Sequence, residues 1–374
     1  MRFAPVLALA VACGGHHAAS VDATTPDSPP PDAPFESTLF DTGLCVDRAC
    51  TQITAGIQTY TPRWALYADG ATKQRWILLP AGTQIDTSDM DHWQFPVGTK
   101  IWKEFDALDG SGNNVRVETR IVQRIGSGDT VNDWFYAGYQ WNATEDDTTE
   151  VPNGATNADG TMHDIPSHVE CTTCHENLAP TRVLGFGALQ LDEAPQNPGD
   201  LTLAALAAMN VLSDPPVAPV GSGSGSGSGS DMGSGSDAGS DYQAYFPMQA
   251  TGGTADALGY LHANCGHCHN PLSQYYQSQT KMSFRLEVAT VGDTANTPTY
   301  LSAVGHTTAM VVNTHNIIVD PGHPELSVMI DRFEATMSEA GYTTLHMPEL
   351  GTKTIDPVGQ MTLTSWITSI PPPP

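Results

Sequence analysis

Two pentads constrain this chain more than anything else in it: Cys171-Thr172-Thr173-Cys174-His175 and Cys265-Gly266-His267-Cys268-His269. In each, two thiols stand three positions apart and an imidazole follows at once. That order suits covalent attachment of a porphyrin, the thiols adding to its vinyl groups and the imidazole placed to ligate the iron. Two other chemistries use paired cysteines. Zinc would need two further soft or imidazole ligands at suitable spacing. A redox dithiol of the thioredoxin kind has no use for a histidine directly after its second cysteine. Repetition of the whole pattern therefore points to two covalent haem c groups, with Cys171, Cys174, Cys265 and Cys268 as attachment points and His175 and His269 as iron ligands. A haem pair implies electron traffic.

The amino end reads Met1-Arg2-Phe3-Ala4-Pro5, then apolar Val6 to Ala12, then Cys13-Gly14-Gly15. This run is too short to span a bilayer and is expected to be an export signal, residues 1–13. Leu9-Ala10-Val11-Ala12-Cys13 resembles a bacterial lipoprotein signal, which would make Cys13 the lipid-anchored first residue of the mature chain. Plain cleavage is the alternative. Either way the mature chain is expected outside the cytoplasm, periplasmic or on the cell surface. The seven cysteines then divide without remainder: Cys13 for lipid, four for haem, and Cys45 with Cys50, spaced for a local disulfide in an oxidising compartment.

Charge narrows the partners. The chain carries 41 acidic against 15 basic residues, a net −26. Residues 125–240 hold 16 of the acids and a single base. Phosphate binding needs clustered Lys and Arg, so nucleic acid is excluded as a partner. A basic redox protein steered to an acidic face is compatible with this balance, and so is solubility alone.

Composition shifts mark out an α+β multidomain chain. Residues 14–37, rich in Pro, Asp, Ser and Thr, read as a tether that buries too little apolar surface to order itself. Residues 38–149 contain six of the seven Trp and alternate apolar with polar residues along Val115 to Ile121. Arg75 to Leu79, Lys100 to Phe105 and Trp134 to Trp141 also read as strands, separated by turn signals such as Asp109-Gly110-Ser111-Gly112. This is expected to be an all-β module, a small sandwich or a barrel-like meander, with its Trp in core or interface. Residues 150–216 form the first haem segment, in which Leu201 to Leu212 has helical spacing and Pro215-Pro216 stops it. The segment is short for an independent domain and is expected to lean on the β module. Residues 217–241 are a Gly/Ser linker, whose 20-residue core (221–240) would span roughly 25 Å root-mean-square as a free coil. Residues 242–374 are expected to be a mainly helical, cytochrome c-like haem domain. There Ala257, Leu258, Leu261 and Cys265 lie on a helix that delivers the second motif. Asp356 caps a last helix with Pro357 at its first position and Met361, Leu363, Trp366, Ile367 and Ile370 along its apolar side.

Sixth ligands come from His and Met. For the second haem the candidate is Met347, in the loop before the final helix and stiffened by Pro348, with His346 its rival. For the first the candidates are His163 and Met209, or an open position; His168 stands too close to the motif.

Leu261 to Pro271 (LHANCGHCHNP), Asp320 to Glu325 (DPGHPE) and His346 to Thr352 (HMPELGT) resemble the C-terminal cytochrome c domain of bacterial di-haem c-type cytochrome lipoproteins. Phe95 to Phe105 (FPVGTKIWKEF) is similar to the β region that precedes the haem motifs in that group, and His163 to Pro166 (HDIP) and Val183 to Leu191 (VLGFGALQL) bracket the first motif in the same way. The resemblance implies haem binding and electron transfer, with no named substrate. Three readings follow: an exported electron carrier with no catalytic residues, a di-haem peroxidase with one displaceable ligand, and a β module that binds a partner with the haems as a redox accessory.

Overall fold

Strand alternation builds one six-stranded antiparallel sheet: β1 (Gln58–Thr59), β2 (Thr72–Leu78), β3 (Lys100–Leu108), β4 (Asn114–Arg124), β5 (Trp134–Trp141) and β6 (Thr148–Glu150). Each strand pairs with the next in sequence, a plain meander. Directly opposed residues share a face. Trp76, Trp102, Ile121 and Ala137 are such a cross-strand row, and they join Leu39, Leu44, Cys45, Tyr139 and Trp141 in one core. Ile77, Ile101, Val122 and Tyr136 form the neighbouring row on the opposite face, packed with Tyr60, Trp93, Phe186, Leu203 and Leu206. Of the expected sandwich or barrel-like meander, the meander order is found and the sandwich is corrected. No second sheet covers the first among the described residues. One face is closed by the turn at Leu39–Thr42 and the disulfide-paired Cys45 and Cys50, the other by Tyr60, the connection between β2 and β3 and segments that follow the sheet in sequence.

This computed structural model describes residues 37–219, 242–277, 281–335, 346–349 and 351–373. The export signal with Cys13, nearly all of the tether, and residues 220–241 of the linker lie outside them, as do Leu345 and Leu350 of the Met347 loop.

Among the described residues, seven helices accompany the sheet: α1 (His168–Glu176), α2 (Ala188–Leu191), α3 (Leu203–Ala208), α4 (Gly252–Asn264), α5 (Pro298–Ser302), α6 (Val328–Glu334) and α7 (Pro357–Ser369). A hairpin, β7 (Thr307–Val312) and β8 (His315–Ile317), interrupts the last four. The expectation of mainly helical haem segments is therefore corrected: much of 177–219 and 270–327 is irregular or extended. Leu201 to Leu212 is one case. The helix closes after Ala208 and Asn210 turns left-handed at φ 58°, so that Leu212 bridges to Ile85 instead. Pairing with the sheet side outweighs local helical spacing.

α4 and α7 cross, burying Ala257, Leu258 and Leu261 against Leu363, Trp366 and Ile367. Gly359 permits the crossing, because a methyl group there would overlap the Tyr260 ring. Asp356 caps α7 as expected, accepting from Val358 N at 3.0 Å. Met361 is a correction: it is 64% exposed. Two positions before Leu363, it stands some 200° around the helix from the buried stripe.

Side-chain carboxylates and amides tie the later segments to the loop between β1 and β2 and to the end of α2. Asp192 accepts from Tyr242 Oη (2.7 Å), Tyr245 N (2.9 Å) and Phe246 N (2.7 Å). Asn264, at the end of α4, donates to Ala65 O at 3.1 Å and accepts from Tyr67 N at 2.7 Å. Asp69 accepts from the backbone N–H groups of Lys353 and Thr354.

Candidate functional site

The first motif sits on α1, which opens with a capping box: Ser167 Oγ accepts from Glu170 N, and Glu170 Oε2 accepts from Ser167 N at 2.8 Å. Cys171, Cys174 and His175 are spaced i, i+3, i+4 and so share one helix face. That face lines a cavity of about 600 Å³, of the size that takes a large organic ligand. Its opposite wall is the sheet, through Ile101, Phe105, Val122 and Tyr136. Residues 150–216 do pack on the β module.

His175 Nδ1 lies 2.6 Å from Arg182 O, which fixes the tautomer with Nδ1–H donating and Nε2 free to act as a ligand. Arg182 itself is buried and donates to the carbonyls of Glu176 and Asp129, holding that loop. Burial pushes His175 down to about 3, so the ring is neutral, as ligation requires. Burial pushes Cys171 up to about 12 and raises Cys174 as well. A reactive dithiol needs the opposite shift.

The distal candidates fare differently. His163 is buried on the cavity wall, its ring 4.8 Å from that of Phe105 and its Nε2 2.6 Å from Glu118 Oε1. Arg120 binds the same Glu118 oxygen. Met209, at the end of α3, is half exposed and is not a lining residue of the cavity. His168 Nε2 lies 3.0 Å from Glu150 Oε1.

The second motif begins at Cys265, the first residue beyond α4. Cys268 N and His269 N donate back to Cys265 O, at 3.1 and 2.9 Å, continuing the turn so that Cys265, Cys268 and His269 stay on one side. Burial pushes both thiols up to about 12 and His269 down to about 4. The His269 ring packs edge-on against Phe284, and its Nδ1 has no hydrogen-bond partner among the described residues. Met347 is half-buried, its N–H donating to Arg332 O at 2.9 Å, beside a small cavity with Tyr67, Tyr260, Asn264 and Phe333. His346 is committed at both nitrogens: Nδ1 to Ala335 O at 2.8 Å, Nε2 to Thr352 Oγ1 at 3.4 Å.

The two motifs are neighbours. Asn270, next after His269, donates to the carbonyl of Asn177, two residues after His175, at 3.3 Å. His267, inside the second motif, lines the cavity of the first.

The lining fits a porphyrin: two thiols and an imidazole on one helix face, with Ile101, Phe105, Val122 and Tyr136 opposite. Among the described residues, no group of three or more His, Cys, Asp or Glu side chains is gathered as a metal site. A haem brings four nitrogens of its own and asks the protein only for axial ligands and an apolar slot. No helix among the described residues is long and apolar enough to cross a membrane.

The sheet adds residues that the strand pattern alone did not single out. Arg75, Lys103 and Arg120 are directly opposed across β2, β3 and β4, on the face that walls the cavity. Their place at inward-facing strand positions was the available signal. Comparison with protein-family models, with curated proteins and with solved structures finds no match for this chain.

Proposed function

We propose that this chain is an exported di-haem c-type cytochrome that carries electrons, anchored to a membrane by lipid at Cys13 and serving an unidentified redox protein. The observation that carries this reading is the helix face of Cys171, Cys174 and His175 lining a porphyrin-sized cavity, with His175 oriented by the Arg182 carbonyl. Cys171 and Cys174 would hold one haem, with His175 as proximal ligand. Cys265 and Cys268 would hold the other, with His269 and Met347 as axial pair. Bound haem supplies a one-electron couple. The chain's part is to exclude water from it, orient the imidazoles and fix the two centres side by side. A His/Met pair at the second haem would set its potential above that of a bis-His centre. Acidic residues outnumber basic ones in the whole chain and would steer a basic partner.

The test is a redox titration of the exported protein and of two variants, Cys171→Ala/Cys174→Ala and Cys265→Ala/Cys268→Ala. Two reversible one-electron waves are expected, one of them missing from each variant. A single wave, or waves unaffected by either pair, would overturn the reading.

Peroxide reduction at the first haem is a second reading, favoured by one observation: Glu118 engages His163 Nε2, the nitrogen that would otherwise be offered to iron. Peroxide turnover by the reduced protein above that of free haem would support it, and none would remove it.

A further inference from the structure

The sheet face opposite α1 carries a charge pattern that sheet stability alone disfavours. Arg75 on β2 is opposed to Lys103 on β3, and Lys103 to Arg120 on β4. Like charges directly opposed across strands repel. Lys73, one inward position along β2, adds a fourth cation to the same face and donates to Leu66 O. On the strands these face the carboxylate of Glu118, already shared by Arg120 and His163; Asp69, Glu170 and Asp164, the last paired with Lys353, also line the cavity. This concentration occurs in a chain of net charge −26. Arg120 and Lys103 both line the cavity that Cys171 and Cys174 face. Among the described residues neither Arg75 nor Lys103 has a side-chain hydrogen-bond or ion-pair partner; of the two, Lys103 lines the cavity, where burial pushes it down to about 7. It lies close enough to Cys174, His175 and His267 for its charge to act on all three.

We infer that the Arg75–Lys103–Arg120 row is an anion-binding strip that receives the carboxylate arms of the porphyrin held at Cys171 and Cys174, with Lys103 as its principal contact. A haem's propionates are the anions that must enter this cavity if its vinyl carbons are bonded to these two thiols. Repulsion along the row is then relieved when the cofactor arrives, and the β module becomes a working wall of the haem site. This inference rests on the haem reading above and adds to it a role for the sheet.

The experiment uses the full exported protein with Lys103→Met and Lys103→Arg, read by haem per chain, by the resonance-Raman propionate bending bands and by the midpoint potential of the first haem. With two haems bound, Lys103→Met is expected to shift the propionate bands and lower the first haem's potential, because a cation that disfavours ferric iron has gone. Lys103→Arg is expected to leave both near the wild type. Loss of the first haem in Lys103→Met but not in Lys103→Arg would equally support a need for charge. A Lys103→Met protein with two haems, unshifted bands and an unshifted potential would overturn the inference while leaving the haem reading intact, and so would loss of the first haem from both variants. A wild-type protein without haem would remove both.

Discussion

Trp102 is fully buried between strands and donates its indole N–H to Thr42 Oγ1 at 3.0 Å, so a single side chain joins the sheet to the turn that covers it. Trp102→Ala is expected to cost about 3–5 kcal/mol through the cavity it leaves. Thr42→Val, which strands the buried N–H, should cost about 1–3 kcal/mol. Denaturant midpoints check both, and a loss well below 1 kcal/mol in either would contradict this packing. The burial of Trp76, Trp93, Trp102, Trp134 and Trp141 was legible from strand alternation and the enrichment of large aromatic residues in 38–149. The role of Lys103 was not. Its meaning depends on standing opposite Arg75 and Arg120, and register across strands is set by turns and bulges that a linear pattern does not reveal.

Elements show the same division between local and distant causes. The last helix was readable because its signals are local: Asp356 accepts from Val358 N, and Leu363, Trp366, Ile367 and Ile370 recur on one side. Asp356→Ala is expected to lower stability by about 0.5–2 kcal/mol, measured by thermal or chemical unfolding. α1 opens with Ser167 and Glu170, a capping box that is also visible in the residues themselves. By contrast, α3 is cut short by a bridge between Leu212 and Ile85, a long-range pairing that helical spacing does not foretell. Asp200, at the entry to α3, is hydrogen-bonded by Thr61 Oγ1 (2.7 Å) and Asn197. Burial opposes its ionisation, yet the hydrogen bonds from Thr61 and Asn197 prevail and hold its pKa below the ordinary 3.8. A lowered folded-state value means that its stabilising contribution is present above about 3.8 and is lost as pH falls through the folded value. Asp200→Asn should therefore flatten that part of the acid limb of a stability-against-pH curve. An unchanged acid limb would contradict the assignment.

Across the whole molecule, the two motifs lie on either side of a Gly/Ser stretch yet come together, through Asn177 with Asn270 and through Asp192, Asn264 and Asp69. Composition marked 217–241 as a domain boundary and left the placement of the second motif against the first open, because a Gly/Ser-rich run carries no information about the amides and carboxylates that dock the residues on either side of it. Asp192→Ala removes three hydrogen bonds at once and is expected to expose residues 242–246 to limited proteolysis well before the sheet is cut. Equal protection in variant and wild type would show that Asp192 does not hold that junction. All of these relations acquire a function only if porphyrin is bonded at both pentads. The most direct measurement is the intact mass of the exported chain together with its pyridine-haemochrome absorbance. Two thioether-linked haems per chain are expected, falling to one when either cysteine pair is replaced, whereas a colourless chain with four free thiols at Cys171, Cys174, Cys265 and Cys268 would contradict it.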